Sequence, residues 1–244
     1  MTVIFVDGFE SGVFVPPWTL INGAVAIINN PVHLGNYAAQ ATGAGSYLEK
    51  LLASSYGDLY VRFYVRFPSL PTTQYSYIRV LDMYASDWST SVGLRYWYSD
   101  GIIKWCLQLP SGDRFIAATI QPNTWYCVEV RRAVGNGNGV VTLWVDGVQL
   151  LTATTETQTV NANRVMFGCN ATDIATQVVI ADDCVVADAP VGTGMPTVTR
   201  TLAYQSTPVS VPLTFDGQQL PSGQLAQVQD GSLVTVSVPQ EVTG

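Results

Sequence analysis

The chain has 244 residues, of which 48% are hydrophobic and only 12% are charged, and its formal net charge is −7. This length fits one β-sandwich with an appendage, or two small domains. The negative charge argues against a general nucleic-acid binder, and no apolar run reaches the ~18 residues of a membrane-spanning helix.

Alternating apolar and polar residues predict many short strands, and no segment has a convincing helical period. Turn residues, chiefly Gly, Asp, Asn and Pro, separate these strands at intervals of about 8–12 residues, which is typical of an all-β sandwich or barrel. The predicted strands are 3–6, 23–28, 38–42, 46–51, 60–67, 75–83, 91–98, 102–109, 114–120, 125–132, 140–145, 148–153, 165–169 and 177–186.

The N-terminal residues 1–7 lack the basic region and the long apolar region of a signal peptide. Two interpretations of the location stay open. The protein is made in a host cytoplasm and assembled into a virion, or a leader has been removed and the protein is extracellular.

Residues 59–67, Leu-Tyr-Val-Arg-Phe-Tyr-Val-Arg-Phe, show the clearest alternation of the chain. Val61, Phe63, Val65 and Phe67 share one side of the predicted strand, which must face the core. The other side carries two tyrosines and two arginines, residue types that are enriched where proteins touch partners. The alternative is that these tyrosines and arginines simply face solvent.

If the neighbouring strands keep their alternation and share one sheet, their outward residues form a single face rich in aromatic and basic side chains. This face would suit an anionic glycan, through aromatic stacking and bidentate arginine–carboxylate bonds, and it would equally suit a protein partner. The predicted binding residues are Tyr60, Arg62, Tyr64, Arg66, Tyr77, Arg79, Arg95, Trp97, Trp125 and Arg131, with Lys104 beside them.

Five short motifs resemble the concanavalin A-like lectin/glucanase superfamily, and most closely its laminin-G-like jelly-roll modules. They are residues 5–12, 59–67, 123–130, 143–147 and 180–186, so the resemblance spans roughly residues 3–190. It implies a two-sheet antiparallel jelly-roll sandwich. It leaves the function open, because this fold hosts lectins, hydrolases, lyases and structural modules.

Catalysis is not expected from this sequence. Hydrolases of the superfamily carry a Glu-x-Asp-x-x-Glu or Glu-x-Asp-x-Glu strand, whereas the glutamates of this chain lie far apart. Jelly-roll polysaccharide lyases typically present a Gln-Ile-His-like strand and a Tyr-Phe-Lys strand, which are also missing. A lyase or glycosidase is therefore the disfavoured alternative.

Four carboxylates suggest a calcium site. In a jelly roll the first and last strands often pair, which would bring Asp7 and Glu10 near Asp182 and Asp183, and calcium favours such oxygen ligands. The alternative is that the two adjacent aspartates accept hydrogen bonds within a turn. No cofactor is otherwise expected, and the single histidine, His33, lies in a turn-rich stretch typical of the surface.

The four cysteines lack the Cys-x-x-Cys spacing of a zinc site. Cys169 and Cys184 lie on segments expected to form a hairpin. A disulfide between them and free thiols packed as small hydrophobes both stay open, and the same holds for Cys106 and Cys127.

The sequence predicts three regions: a sandwich over residues 1–190, a linker over 191–198 and a β-rich arm over 199–244. The arm has predicted strands at 208–215, 224–228 and 232–238. So short a segment can hardly bury its own core, so we expect it to dock on another surface, preferably a second copy of the chain.

Together these features favour a non-catalytic structural and binding protein, specifically a phage virion component such as a capsid-decoration or tail protein. Its partners would be further copies of itself, with a trimer included, and other virion proteins. The alternative is a carbohydrate-binding module that recognises a glycan, for example an anionic one, on its Arg/Tyr/Trp face.

Overall fold

The computed structural model describes residues 1–85, 91–116, 119–169 and 176–194, together with five short strands between residues 199 and 237. The chain divides into two compact units, Met1–Met195 and Pro196–Gly244. Within the described ranges, no helix is long and apolar enough to cross a membrane.

The first unit is built from antiparallel strands. They are β1 (Val3–Asp7), β2 (Leu20–Ile28), β3 (Ala38–Tyr56), β4 (Asp58–Arg66), β5 (Tyr77–Tyr84), β6 (Ser91–Ser99), β7 (Ile102–Gln108), β8 (Arg114–Ile116), β9 (Trp125–Ala133), β10 (Gly139–Val145), β11 (Val148–Glu156), β12 (Ala162–Cys169) and β13 (Val178–Ala187).

These strands form one hydrogen-bonded series, β11-β10-β9-β4-β13-β3-β12-β5-β6-β7-β8, with β1 added to β13 and β2 added to β3. Strand β3 has 19 residues and links the two sheets of the sandwich, β11-β10-β9-β4-β13 on one side and β12-β5-β6-β7-β8 on the other, into this single series. Its first part pairs with β13 and its second part with β12, and Gly43 and Gly45, each with φ of 77°, lie between the two parts. The sequence predicted two short strands here, and the structure joins them.

The two sheets face each other across an aromatic core. Phe63 on β4 meets Phe167 on β12 with ring centroids 5.1 Å apart, and Phe67 meets Tyr96 on β6 at 4.4 Å. The predicted core side of residues 59–67 is fully buried, with Val61, Phe63, Val65 and Phe67 each 0% exposed. The prediction of an all-β, two-sheet antiparallel sandwich is confirmed.

The cysteines do not lie on a hairpin. Strands β12 and β13 pair with successive parts of β3, on the edge opposite β2, and so follow one another end to end instead of pairing as the predicted hairpin of Cys169 and Cys184. All four cysteines are buried and free, which is the second of the two interpretations of the sequence. Burial raises the pKa of Cys106 to about 12, so this thiol stays protonated at neutral pH.

The second unit contains β14 (Thr199–Ala203), β15 (Leu213–Phe215), β16 (Gln218–Leu220), β17 (Leu225–Gln229) and β18 (Val236–Ser237). Strand β14 pairs with β17, and β15 pairs with β16 and β18. The predicted strands 208–215 and 232–238 fall only partly on described residues, and the remainder of each lies outside them.

Candidate functional site

The predicted binding residues do not form one face. Strands β4 and β9 belong to one sheet and β5 and β6 to the other, and the core side chains of the two sheets point towards each other, so their outer sides point apart. Alternation along a strand tells which side a residue takes, but not which sheet the strand joins. The first sheet carries Tyr60, Arg62, Tyr64, Arg66, Trp125 and Arg131, and the second carries Tyr77, Arg79, Arg95 and Trp97.

The residues of the second-sheet group contact one another and nearby carboxylates. Tyr77 and Trp97 stack with ring centroids 5.2 Å apart and planes 3° apart. The Arg95 guanidinium lies 4.6 Å from the Tyr77 ring and 3.2 Å from the Asp113 carboxylate. Arg79 also has a carboxylate of its own strand at 3.5 Å. Both arginines are thus already neutralised by neighbours.

Several members of the first-sheet group are structural. Arg62 is 0% exposed and donates hydrogen bonds to the Asp183 backbone carbonyl and to the Gly194 carbonyl, each at 2.9 Å. Arg131 holds Asp58 with two bonds of 3.0 and 2.6 Å, and the bond to Asp58 raises the pKa of Arg131. Arg62, which was predicted to bind a ligand, therefore does not offer its charge to the surface in this conformation.

His33 lies at the centre of the remaining group, not on the open surface as the sequence suggested. Its ring stacks on Tyr64 with centroids 3.5 Å apart and planes 14° apart, and the Trp125 ring meets it edge-on at 5.7 Å. Its side chain is only 21% exposed. The loop that carries His33 has no strand pattern, so the sequence offered no signal for this placement.

Two adjacent aspartates hold the His33 loop. The Asp182 carboxylate accepts hydrogen bonds from the backbone N–H groups of His33 at 2.8 Å, Leu34 at 3.4 Å and Asp183 at 2.8 Å. The Asp183 carboxylate meets His33 Nδ1 at 2.6 Å. Burial, together with the charge of Asp183, raises the pKa of Asp182 to about 8.

Arg66 is the basic residue of this group that remains available. It is partly exposed, its Nε donates to the Asn123 carbonyl at 3.1 Å, and it lies directly across from Trp125 in the β4–β9 ladder. Among arginines whose side chains the structure describes, Arg66 and Arg114 alone are neither buried nor paired with a carboxylate. We refer to Arg66, Trp125, His33 and Tyr64 as the Arg66 cluster.

A segment that follows β13 lies beside this cluster. The N–H groups of Val191 and Gly192 donate to the Glu129 carboxylate, each at 2.9 Å. The Thr193 carbonyl accepts from the Tyr64 hydroxyl, as the Gly194 carbonyl accepts from Arg62. We call residues 188–194 the strap. Residues 191–194 were predicted as linker, yet they are fixed on β4 and β9, and the first unit ends at Met195.

The Arg66 cluster and the strap thus place a cation, aromatic rings and hydrogen-bonding groups on one outer surface. Burial raises the pKa of Tyr64 to about 12, so its hydroxyl remains a hydrogen-bond donor at neutral pH. Because Asp183 engages Nδ1 of His33, Nε2 is the ring nitrogen left to face a ligand. Such a surface can bind an anion and stack against a ring.

No family model and no curated protein matches the sequence. Solved structures do match the fold. The cellulose induced protein Cip1 has a TM-score of 0.59 at 17% identity, over 78% of this chain and 100% of that chain. The likeness is one of fold. Alginate lyase Aly36B has a TM-score of 0.52 at 12% identity, over 63% of this chain and 81% of the lyase.

The binding domain of botulinum neurotoxin serotype G is also similar, with a TM-score of 0.56 at 12% identity. The match covers 78% of this chain but 49% of the toxin domain, so this chain spans about half of that domain's length. These neighbours share the β-sandwich of the jelly-roll type with this chain. At such identities they do not assign it an activity.

The predicted calcium ligands have other partners. Strand β1 pairs with β13 as expected, with Asp7 opposite Cys184, but Asp7 accepts a hydrogen bond from Trp18 Nε1 at 2.6 Å. Glu10 accepts the Asn36 N–H at 3.0 Å. Within the described ranges, no three His, Cys, Asp or Glu side chains are arranged to hold a metal ion. At Asp182, the hydrogen-bonded turn is the arrangement present.

Proposed function

We propose that the sandwich is a binding module for an anionic carbohydrate, which it holds through the Arg66 cluster. The observation that carries this proposal is the partly exposed Arg66, which pairs with no carboxylate and lies directly across from Trp125 in the β4–β9 ladder. A guanidinium can form two parallel hydrogen bonds with a carboxylate, and it binds sulfate in a similar way. The ring beside it can pack against the apolar face of a sugar.

The other two members of the cluster supply polar specificity. The stacked pair of His33 and Tyr64 is rigid because Asp183 fixes the imidazole, so little conformational freedom is lost when a ligand binds. His33 Nε2 can then bond a sugar hydroxyl. A module of this kind is consistent with the neighbours, one of which is an alginate lyase whose structure contains an alginate trisaccharide.

Calorimetric titration tests the proposal, with alginate and polygalacturonate hexasaccharides as anionic ligands and cellohexaose as the neutral comparison. Arg66→Ala should weaken binding of an anionic hexasaccharide about tenfold or more, since a hydrogen bond to a charged group contributes about 1.5–3 kcal/mol. Arg114→Ala is the matched control. It removes the same charge from an exposed arginine on β8 that, like Arg66, bonds a backbone carbonyl and no carboxylate. Equal affinities of both variants and the parent would refute the proposal.

One observation favours a catalytic alternative. His33, oriented by Asp183 and stacked on Tyr64, has the arrangement of a general base with a positioning carboxylate. A uronate lyase would generate unsaturated uronates that absorb in the ultraviolet. We propose the non-catalytic role, so alginate and polygalacturonate should show no increase in absorbance. An increase that His33→Ala abolishes would establish the enzyme instead.

The predicted assembly role is a separate proposal. It assigns residues 199–244 to docking on further copies of the chain or on other proteins of a phage virion. Its support is compositional, since this unit carries few charges and short strands of two to five residues. The laminin-G-like character of the sandwich and its location in a virion are likewise proposals that rest on the sequence.

A further inference from the structure

The strap is held almost wholly through its main chain. Val191 and Gly192 donate N–H groups, and Thr193 and Gly194 accept through their carbonyls. No side chain of residues 191–194 takes part in these four bonds. The strap therefore behaves towards the sheet as an extended ligand would, offering donors and acceptors along a line.

The groups that receive the strap form a polar row on β4 and β9. Arg62 and Glu129 are direct cross-strand neighbours, and Tyr64 lies two residues further along β4 on the same side. The row offers a guanidinium, a hydroxyl and a carboxylate, which together can bond hydroxyl and carboxylate oxygens. Since Tyr64 belongs both to this row and to the Arg66 cluster, the two surfaces are continuous.

We propose that the polar row of Arg62, Tyr64 and Glu129 is a second glycan subsite, which the strap occupies until an anionic oligosaccharide displaces it. This inference rests on the proposed function, since it extends the same binding surface. It adds that the natural ligand is a chain of several sugars, because Arg62 and Glu129 lie four positions along the ladder from Arg66, roughly 13 Å away at ~3.3 Å per residue. The strap then competes with the oligosaccharide for the row.

The strap is suited to leave its place. Residues 192–194 are exposed, and no large apolar side chain anchors them. A segment that is held by surface hydrogen bonds and buries little apolar area opens more easily than the core. The start of the strap is fixed, because Asp188 and Thr2 exchange backbone and side-chain bonds, so it would swing from that point.

Gly192→Pro releases the strap without touching the proposed subsite. Proline lacks the N–H that Gly192 gives to Glu129, and its φ near −65° is incompatible with the φ of 77° at this position. Thr193→Ala is the matched control, because only the Thr193 carbonyl bonds the sheet. Limited proteolysis of the full chain around residue 194 should be faster in the proline variant than in the control.

The opposite variant locks the strap. Thr193 Cγ2 lies 3.2 Å from the position of a Cβ at Gly147, so Gly147→Cys with Thr193→Cys brings two thiols within reach of a disulfide, with some backbone strain from the φ of 78° at residue 147. The native cysteines are buried and will not exchange readily with this pair. Binding can then be compared in the same protein before and after reduction.

The titrations use an alginate hexasaccharide and an alginate disaccharide with the full chain. If the strap occupies the row in about nine of ten molecules, Gly192→Pro should bind the hexasaccharide about tenfold more tightly. The disaccharide, which is too short to span from Arg66 to Arg62 and Glu129, should bind both proteins equally. The locked protein should bind the hexasaccharide as weakly as a disaccharide, and reduction should restore its affinity.

The outcomes separate the two proposals. If the parent binds the hexasaccharide and neither Gly192→Pro nor the lock changes its affinity, the second subsite is wrong and the binding module stands. If no variant binds any anionic oligosaccharide, the module itself is wrong. Binding by the proline variant alone would support both proposals, with the strap fully closed in the parent.

Discussion

Arg62 is the residue at which sequence and structure assign different roles, and Arg62→Met tests them. The guanidinium is fully buried and bonds the Asp183 and Gly194 carbonyls, each at 2.9 Å. Methionine retains much of the length and flexibility of the side chain but none of its donors. The variant therefore isolates the loss of hydrogen bonds from the loss of packing.

The expected loss of unfolding free energy follows from the burial of the two acceptors. Asp183 is buried and its carbonyl would be left without this donor, whereas the exposed Gly194 can bond water instead. A charged hydrogen bond contributes about 1.5–3 kcal/mol, and an unsatisfied buried carbonyl costs about 1–3 kcal/mol. Removing a buried charge offsets part of this loss. We expect Arg62→Met to lower the free energy of unfolding by about 2–4 kcal/mol.

Urea unfolding monitored by tryptophan fluorescence measures this change, because the midpoint shifts while the slope stays constant if only stability is affected. Arg114→Ala, at an exposed arginine, should change the unfolding free energy by no more than about 0.5 kcal/mol. An Arg62→Met protein as stable as the parent would refute the structural role of the guanidinium.

Three further predictions concern the same unit. The pKa of Asp182 rises from 3.8 to about 8 on folding, so the stability from its protonated form is present at acid pH and lost as pH rises from about 4 to 8. The urea midpoint should therefore fall more between pH 5 and pH 8 in the parent than in Asp182→Asn. Calcium should leave the melting temperature unchanged, because Asp7 and Glu10 already accept hydrogen bonds; a clear rise would support the predicted calcium site. Light scattering should show an oligomer for the full chain and a monomer for a chain ending at Met195; two monomers would refute the assembly arm.

The sequence predicted strands and their inner sides well, because burial imposes a period of two on each strand separately. Residues 59–67 show this, since every residue expected in the core is buried. The grouping of strands into sheets depends on pairing between distant segments, which alternation does not encode. Tyr64 and Tyr77 were therefore placed on one face, although their strands belong to different sheets.

The centre of the candidate site could not be predicted for a related reason. His33 reaches Tyr64 because Asp182 and Asp183, about 150 residues later, bind its loop. No local pattern signals such a contact. The strap was missed because Gly, Pro and Thr are typical of linkers, and residues 191–194 bond the sheet only through their main chain, which any sequence provides.

The long strand β3 has a consequence for how the chain acquires its structure. Its residues Ala41 and Glu49 pair with Val179 and Met166, partners more than a hundred positions away. Neither layer can close around this strand until the end of the sandwich has been synthesised. Contacts of such large sequence separation slow folding and leave strand edges exposed in the meantime. We expect the nascent chain to remain open on the ribosome until residues 178–187 emerge, and then to close both layers in one cooperative step.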